Sequence, residues 1–409
     1  MSLPRIAYVL LWFPKPSETF VFREVVSLWK MGLFIKVFTL YGEWKKHLSP
    51  EMRAVSSNVE RLGIPFLKRA VKDLVYWRKR NPEMVSWLFR TVPVRKWRSF
   101  EVGGENTWSF FCGFTLARRF QEEGIEHIHA PWANGPATAA WVASKLTGIP
   151  FSFSGGSSDI YPPDGALTEK IRDSLFVRTN NMASIGYLQG FTNGNSNKVH
   201  FIHNGIPLER YAEAPVLMIP PYRLLALGRF DRIKAFDVLI LACRILKDSG
   251  LSFHLTLAGD GPRKLIFKHL AWRLGLNGLI SFPGFIPYDR VSELFSSADV
   301  FVMSSAVHSS GERDGIPNVI MEALVHRVPV VATDVCGIPE VIRNNVTGLL
   351  VPQRNPSALA NAIVRMVGNR DSALEMAERG RSLVLRQFET ERNHTKILNL
   401  YQTLTRQPV

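Results

Sequence analysis

Sulfur is scarce in this chain, and its distribution excludes several functions. Cys112, Cys243 and Cys336 are the only cysteines in 409 residues. They are odd in number and far apart, without the paired spacing of a zinc site or a disulfide framework, so a reducing cytosol is expected. Long apolar runs are missing too. No segment approaches the roughly eighteen apolar residues of a membrane span. The early apolar run at residues 6–13 stops at Pro14 without a small-residue cleavage site behind it, so it reads as a buried first strand rather than a leader. Acidic residues are outnumbered, 35 against 50 basic, for a net charge of +15. No carboxylate cluster of metal-binding type stands out, and no helix-turn-helix, zinc or RNA-recognition signature accompanies the basic excess. A nucleic-acid partner is therefore not expected.

What is present is the composition of a globular protein, 46% hydrophobic and 21% charged. A chain this long exceeds the size at which one core keeps growing, which predicts two domains. Apolar strands at residues 5–13, 34–40, 127–130, 150–153, 175–179 and 199–202 alternate with helical periodicity at 21–31, 115–123 and 137–146. Residues 206–221 lose periodicity and gather prolines. A second series then places strands at 223–227, 254–258, 279–282, 300–303 and 328–332, with helices at 236–248, 263–274, 288–296 and 319–326. Alternation of this kind implies α/β domains with parallel sheets. The predicted organisation is a first domain at 1–205, a linker at 206–221, a second domain at 222–385, and a final helix at 386–409 that can cross back to the first.

The most informative stretch runs Asp314-Gly-Ile-Pro-Asn-Val-Ile-Met-Glu322. Gly315 and Pro317 suit a tight turn and the start of a helix. Asp314 then lies on a loop and Glu322 about one turn inside the helix. Both carboxylates can face one cleft, and the helix N-terminus between them favours an anion. A nucleotide sugar has that layout of hydroxyls around a diphosphate. A cationic half precedes it: the strand ending at Leu227 runs into Gly228-Arg229-Phe230, with Lys234 beyond, which points both cations at the C-terminal edge of a sheet.

Charge also gathers at residues 68–98. There Lys68, Arg69, Lys72, Arg78, Lys79, Arg80, Arg90, Arg95, Lys96 and Arg98 face only Asp73 and Glu83. Tyr76, Trp77, Trp87, Phe89 and Trp97 are interleaved. Cations alternating with large aromatics suit an anionic bilayer surface, and the alternative is a solvated helical face over core aromatics.

Taken together, these motifs resemble the retaining glycosyltransferases of family four. The resemblance is most specific in the second half: Gly228-Arg229-Phe230 with Lys234, Ala258-Gly259-Asp260-Gly261-Pro262, Gly284-Phe285, Ser297-Ala298-Asp299, and Asp314 to Glu322 followed by Pro329-Val330-Val331-Ala332. In the first half, Phe13-Pro14-Lys15-Pro16-Ser17-Glu18-Thr19-Phe20, Asp159-Ile160-Tyr161-Pro162-Pro163 and Asn204-Gly205 are similar to the branch that builds exopolysaccharide or colanic-acid-type polymers.

The resemblance implies a GT-B fold, two Rossmann-like doubly wound domains facing a central cleft. It implies a catalytic set of Arg229 and Lys234 on the departing diphosphate and Asp314 on the donor sugar. Glu322 would take the ribose hydroxyls, and Gly228, Gly259, Asp260, Gly261, Gly315, Ile316, Pro317 and Asn318 would complete the donor site. Ser17, Glu18, Thr19 and Asp159 fall on the acceptor side. Ser17 alternatively caps the first helix.

No metal or cofactor is implied, because fixed cations and a helix terminus stabilise the charge; the donor is a UDP- or GDP-sugar. The function implied is retaining transfer to a saccharide or polyprenyl-linked acceptor in cell-surface polysaccharide synthesis, by a cytoplasmic protein peripheral at the inner face of the membrane. The alternatives are a non-catalytic GT-B subunit that binds saccharide, or a transferase acting on a soluble natural product.

Two departures stand out. The family usually has Glu at the position of Asp314, with Glu312 as a candidate to compensate, and it has a His near Gly156. Among the histidines present, His127 and His129 are read as structural, with a place in the cleft as the alternative.

Overall fold

The computed structural model describes residues 3–95, 97, 99–206 and 217–404. Lys96, Arg98 and most of the expected linker, residues 207–216, lie outside the described residues. The chain divides into two compact units, Met1–Gly205 with Glu391–Val409, and Ile206–Thr390.

The first unit is built on seven strands, β1 (Ile6–Leu10), β2 (Ile35–Thr39), β3 (Val59–Arg61), β4 (His127–Ala130), β5 (Phe151–Ser154), β6 (Val177–Thr179) and β7 (Val199–Phe201). They lie in the order β3-β2-β1-β4-β5-β6-β7, every pair parallel. β1 is buried at all five positions, as a parallel strand covered on both faces must be, and so reads as an unbroken apolar run.

The second unit has six parallel strands, β8 (Tyr222–Leu227), β9 (Phe253–Ala258), β10 (Ile280–Ser281), β11 (Val300–Met303), β12 (Val330–Thr333) and β13 (Leu349–Val351), ordered β10-β9-β8-β11-β12-β13. Side-chain alternation sends Leu224 and Ala226 into a core shared with helices Phe236–Asp248 and Pro356–Gly368, and Leu225 and Leu227 into the opposite core, shared with helix Asn318–Val325. Each sheet reverses its winding once, between β1 and β4 and between β8 and β11. Doubly wound sheets open a crevice for ligands at that switch point, beyond the C-terminal ends of the strands.

Several elements differ from the sequence expectation for physical reasons. The helix expected at 115–123 begins fifteen residues earlier and spans Phe100–Glu122, capped by Ser99, whose hydroxyl accepts from the Val102 amide at 3.2 Å. Gly103, Gly104 and Gly113 dilute its propensity. Gly113 is needed all the same: a Cβ there would come within 2.6 Å of Val142 on helix Gly135–Thr147, so close helix packing overrides propensity. The segment around residue 68 forms helices Leu67–Arg80 and Pro82–Thr91. The final helix, Thr390–Leu404, belongs to the first unit; Tyr401 is buried there with its hydroxyl 2.9 Å from that of Tyr8.

Candidate functional site

The β8–β11 switch point gathers most of the charged residues singled out in the second half. Leaving β8, the chain turns at Gly228, and the backbone of this turn packs on the turn after β9. Phe230 N–H donates to the Asp260 carbonyl (2.8 Å) and Gly259 N–H to the Gly284 carbonyl (2.8 Å). Gly259, at φ 139°, has no room for a Cβ, which would lie 1.9 Å from the Gly228 carbonyl oxygen; at Gly261 (φ 151°) it would meet the Phe230 backbone at 2.7 Å. These glycines therefore serve the close approach of two turns. Asp260 is half-exposed and paired with Lys264 at 2.9 Å.

The two cations are held differently. Lys234 Nζ donates to Asp314 Oδ2 at 2.9 Å, both side chains about 12% exposed. Ser305 Oγ, just beyond β11, donates to the same oxygen at 2.7 Å. Arg229 is 60% exposed, with its Nε 2.6 Å from Asp231 Oδ2, and Asp231 Oδ1 also accepts from the Lys234 amide at 3.1 Å. Lys234 and Asp314 thus meet from strands on either side of the winding reversal. The sequence reading did not include Ser305 and Asp231; a serine after a strand and an acid within a turn carry no periodic signal.

Helix Asn318–Val325 begins as expected, with Glu322 buried one turn in. Pro317 differs: at φ −63°, ψ 118° it is the N-cap in extended conformation, not the first helical residue. Gly315 and Ile316 lie in the half-buried turn before it. Asn318 Oδ1 is shielded from solvent without a hydrogen-bond partner among the described residues, so it is free to accept from a ligand. The Glu312 carboxylate comes within 4.0 Å of His308 Nδ1.

In the first unit, the switch point brings together Glu18 and Trp132. Trp132 Nε1 donates to Glu18 Oε2 (3.2 Å), and Lys15 Nζ donates to Oε1 (2.6 Å). The helix starts at Thr19, with Glu18 as an N-cap whose side chain does not cap; Ser17 is exposed and is not the N-cap. Asp159 is buried. Its Oδ2 accepts from Ala133 N–H (3.1 Å) and its Oδ1 from Gly156 N–H (3.3 Å) and Ser157 N–H (2.9 Å). Burial raises this carboxyl above its ordinary value, with the three amides pulling the other way. Where the family carries His, a Cβ on Gly156 would meet Asn180 Oδ1 at 2.6 Å and Asn181 Nδ2 at 2.9 Å. Two asparagines fill that place.

His127 and His129 are fully buried and share the Ser152 hydroxyl, at 2.7 and 2.8 Å. Burial pushes His127 down to about 3 and His129 well below the ordinary imidazole value, so both are neutral. They are core groups. The thiols are likewise unreactive: burial raises Cys336 to about 11 and lifts Cys112 and Cys243 further. Among the described residues, no group of three His, Cys, Asp or Glu side chains is placed to hold a metal ion.

A family model described as Glycosyl transferases group 1 matches residues 217–383. WcaL of Escherichia coli strain K12, a glycosyltransferase assigned by name to colanic acid biosynthesis, is 25% identical over 430 residues, covering 98% of this chain and 100% of its own length. The amylovoran biosynthesis glycosyltransferase AmsK of Erwinia amylovora is 30% identical over 184 residues, 45% of each chain. The solved structure of Anabaena Alr3699/HepE in complex with UDP-glucose has a TM-score of 0.71 at 16% identity, covering 98% of this chain and 100% of that one. At that identity the likeness is one of fold, two parallel-sheet α/β domains of the GT-B class.

Proposed function

We propose that this chain, a glycosyltransferase whose residues 217–383 are a group 1 glycosyl transferase domain, moves a sugar from a UDP- or GDP-sugar to a saccharide or polyprenyl-linked acceptor, with retention at the anomeric carbon. The observation that carries this reading is the Lys234–Asp314–Ser305 cluster astride the β8–β11 reversal. With one Asp314 oxygen held by Lys234 and Ser305, the other is left for a donor-sugar hydroxyl. Arg229, 60% exposed beside Asp231, meets the diphosphate in this reading. Negative charge builds on the β-phosphate as the glycosidic bond breaks, so Arg229 and Lys234 act mainly in the transition state. The acceptor hydroxyl attacks the face the nucleotide leaves, and its proton passes to a phosphate oxygen of the departing nucleoside diphosphate. Exopolysaccharide synthesis is supported by the names of WcaL and AmsK, and a uridine donor by the HepE complex.

A thermal-shift panel of UDP-, GDP- and ADP-sugars on the full chain tests this reading, because a ligand of the native state raises its melting temperature. One base should stand out. A panel without any shift would sink the proposal.

The acceptor reading extends to a membrane surface. Helix Leu67–Arg80 turns Lys68, Arg69, Val71, Lys72, Val75, Arg78, Lys79 and Arg80 to solvent, and Phe100, 99% exposed, opens the later helix Phe100–Glu122. The aromatics divide: Trp77 is core, its Nε1 donating to the Phe114 carbonyl at 2.9 Å, whereas Trp87 and Phe89 are 37% and 36% exposed, with Trp87 edge-on against Trp141. Basic residues with exposed valines suit an anionic leaflet at about 1 kcal/mol per cation. The variant K68Q/K72Q/K79Q should lose about 3 kcal/mol of affinity for phosphatidylglycerol vesicles in co-sedimentation; unchanged binding would remove the membrane from the reading.

A further inference from the structure

On the other side of the second sheet's C-terminal edge lies a cavity of about 370 Å³, lined by Arg232, Asp237, Arg263, His308 and Arg354, with Ala235, Val238, Val307 and Ser309. None of the residues assigned to the donor lines it. It opens at the N-terminus of helix Phe236–Asp248, which packs in the core opposite to that of helix Asn318–Val325, the helix carrying Glu322.

Three features mark the cavity as built for an anion. Three arginines from three separate turns converge on it against the single carboxylate of Asp237, whose ion pair with Arg263 is long at 3.6 Å. Arg263 Nε is shielded from solvent and has no hydrogen-bond partner among the described residues. Ala235, in the left-handed region at φ 46°, precedes the thirteen-residue helix without a side-chain cap; its carbonyl accepts from the Val238 amide at 2.9 Å, and the positive end of the helix dipole meets the cavity. Arg354 is also braced: its Nη2 donates to the Val307 carbonyl at 2.6 Å.

We infer that this cavity is a second anion site, distinct from the Lys234–Asp314 pair, that takes a phosphate monoester. The guanidinium fork favours the planar, bidentate grip that phosphate oxygens offer. The volume is at the small end for ligand sites, which fits a phosphorylated metabolite or a lipid phosphate headgroup and leaves no room for a polymer. The site stands whether or not the donor reading does.

The experiment is calorimetric titration of the full chain with inorganic phosphate at fixed ionic strength, with UDP present throughout so that any nucleotide site is filled. Wild type should bind, and R263Q should bind about tenfold or more weakly. Arg263 also packs over the Phe267 ring; the double variant R232Q/R354Q, both at exposed side chains, repeats the test without disturbing the core and should lose a similar factor. K234A should keep its phosphate affinity within twofold. A second arm uses vesicles with phosphatidic acid, a monoester, against vesicles with phosphatidylglycerol, a diester. Response to free phosphate identifies a soluble phosphate compound. Capture by phosphatidic acid alone, lost in R232Q/R354Q, identifies a lipid headgroup. Equal phosphate affinity in wild type and R232Q/R354Q, or no response to either probe, overturns the proposal.

Discussion

The two sheets reverse their winding in the same way, yet the charges buried beside the first sheet are satisfied differently from the Lys234–Asp314 cluster of the second; Lys15 and Glu18 at the first switch point, 19% and 17% exposed, stay near the surface. In the first unit, Asp159 is surrounded by three backbone amides. Lys170 is sealed against Asp164 and the carbonyls of Ala133 and Asn134. Deeper in, Arg178 and Glu24 pair at 2.6 Å with 5% and 4% of their side chains exposed. In the second unit, Arg229 stands in solvent and the Lys234–Asp314 pair is only partly covered. An ion whose every lone pair or proton is taken up by protein has nothing left for a ligand, whereas a partly covered pair can exchange partners. The first arrangement holds a fold together; the second is suited to chemistry.

The largest effects should separate these two roles. R178M strips the cation from Glu24, leaving the Tyr8 hydroxyl as its donor at 2.9 Å. Removing one partner of a buried pair costs about 3–5 kcal/mol, so amide exchange across β1, β4, β5 and β6 should accelerate steeply while UDP affinity is unchanged. R229A should do the reverse. It should lower kcat by roughly 10²–10³, as loss of one transition-state donor does, with unfolding free energy within about 0.5 kcal/mol of wild type. Steady-state kinetics beside a urea melt checks both halves; equal losses in kcat and donor binding would reject the transition-state role of Arg229.

The next effect is a pH dependence of the first unit. Burial holds His127 down to about 3, against 6.5 when exposed, so between those values the unfolded chain takes up a proton that the folded chain refuses. Stability is therefore full above pH 6.5 and falls as the pH drops. At pH 5 His127 alone removes about 2 kcal/mol, and His129, lowered by burial and then by Arg178 and His127, adds in the same direction. H127Q should flatten the slope of unfolding free energy between pH 6.5 and 5 by one proton, measured by urea titration. An unchanged slope would mean the ring is not neutral in the core.

Much of this architecture was legible because the strongest signals are local. β4, β11 and helix Phe236–Asp248 lie on the residues that their apolar runs mark. The meeting of Lys234 and Asp314 follows once β8 and β11 are neighbours, since a doubly wound order puts both following loops at one edge. What was not legible depends on partners distant in sequence. β3 and β13 are three-residue edge strands, too short to show a period. Trp77 alternates with cations in sequence, yet the Phe114 carbonyl draws it into the core. Asp159 resembles a ligand-binding acid until the folded loop turns three amides onto it. Nothing in the sequence marks Asn180 and Asn181 as occupants of the place beside Gly156, because they arrive from the neighbouring strand.

The smallest expected effect gives the sharpest comparison, since one chemical change can be made at both edges. Extending Asp to Glu moves the carboxylate by about one bond, 1.5 Å. At Asp159 that displaces two oxygens from three fixed amides inside a packed loop, and overpacking of this kind costs about 1–3 kcal/mol, so D159E should lower the stability of the first unit by that much. At Asp314 the surroundings are open on one side. Lys234 is a flexible chain able to follow the carboxylate, and the family's usual residue at this position is the longer acid, so D314E should change stability by no more than about 0.5 kcal/mol. Its effect belongs to kcat/KM, within about tenfold in either direction. If D314E instead destabilises the chain as much as D159E, the Lys234–Asp314 pair is a structural clasp like those of the first unit, and the contrast between the two edges disappears.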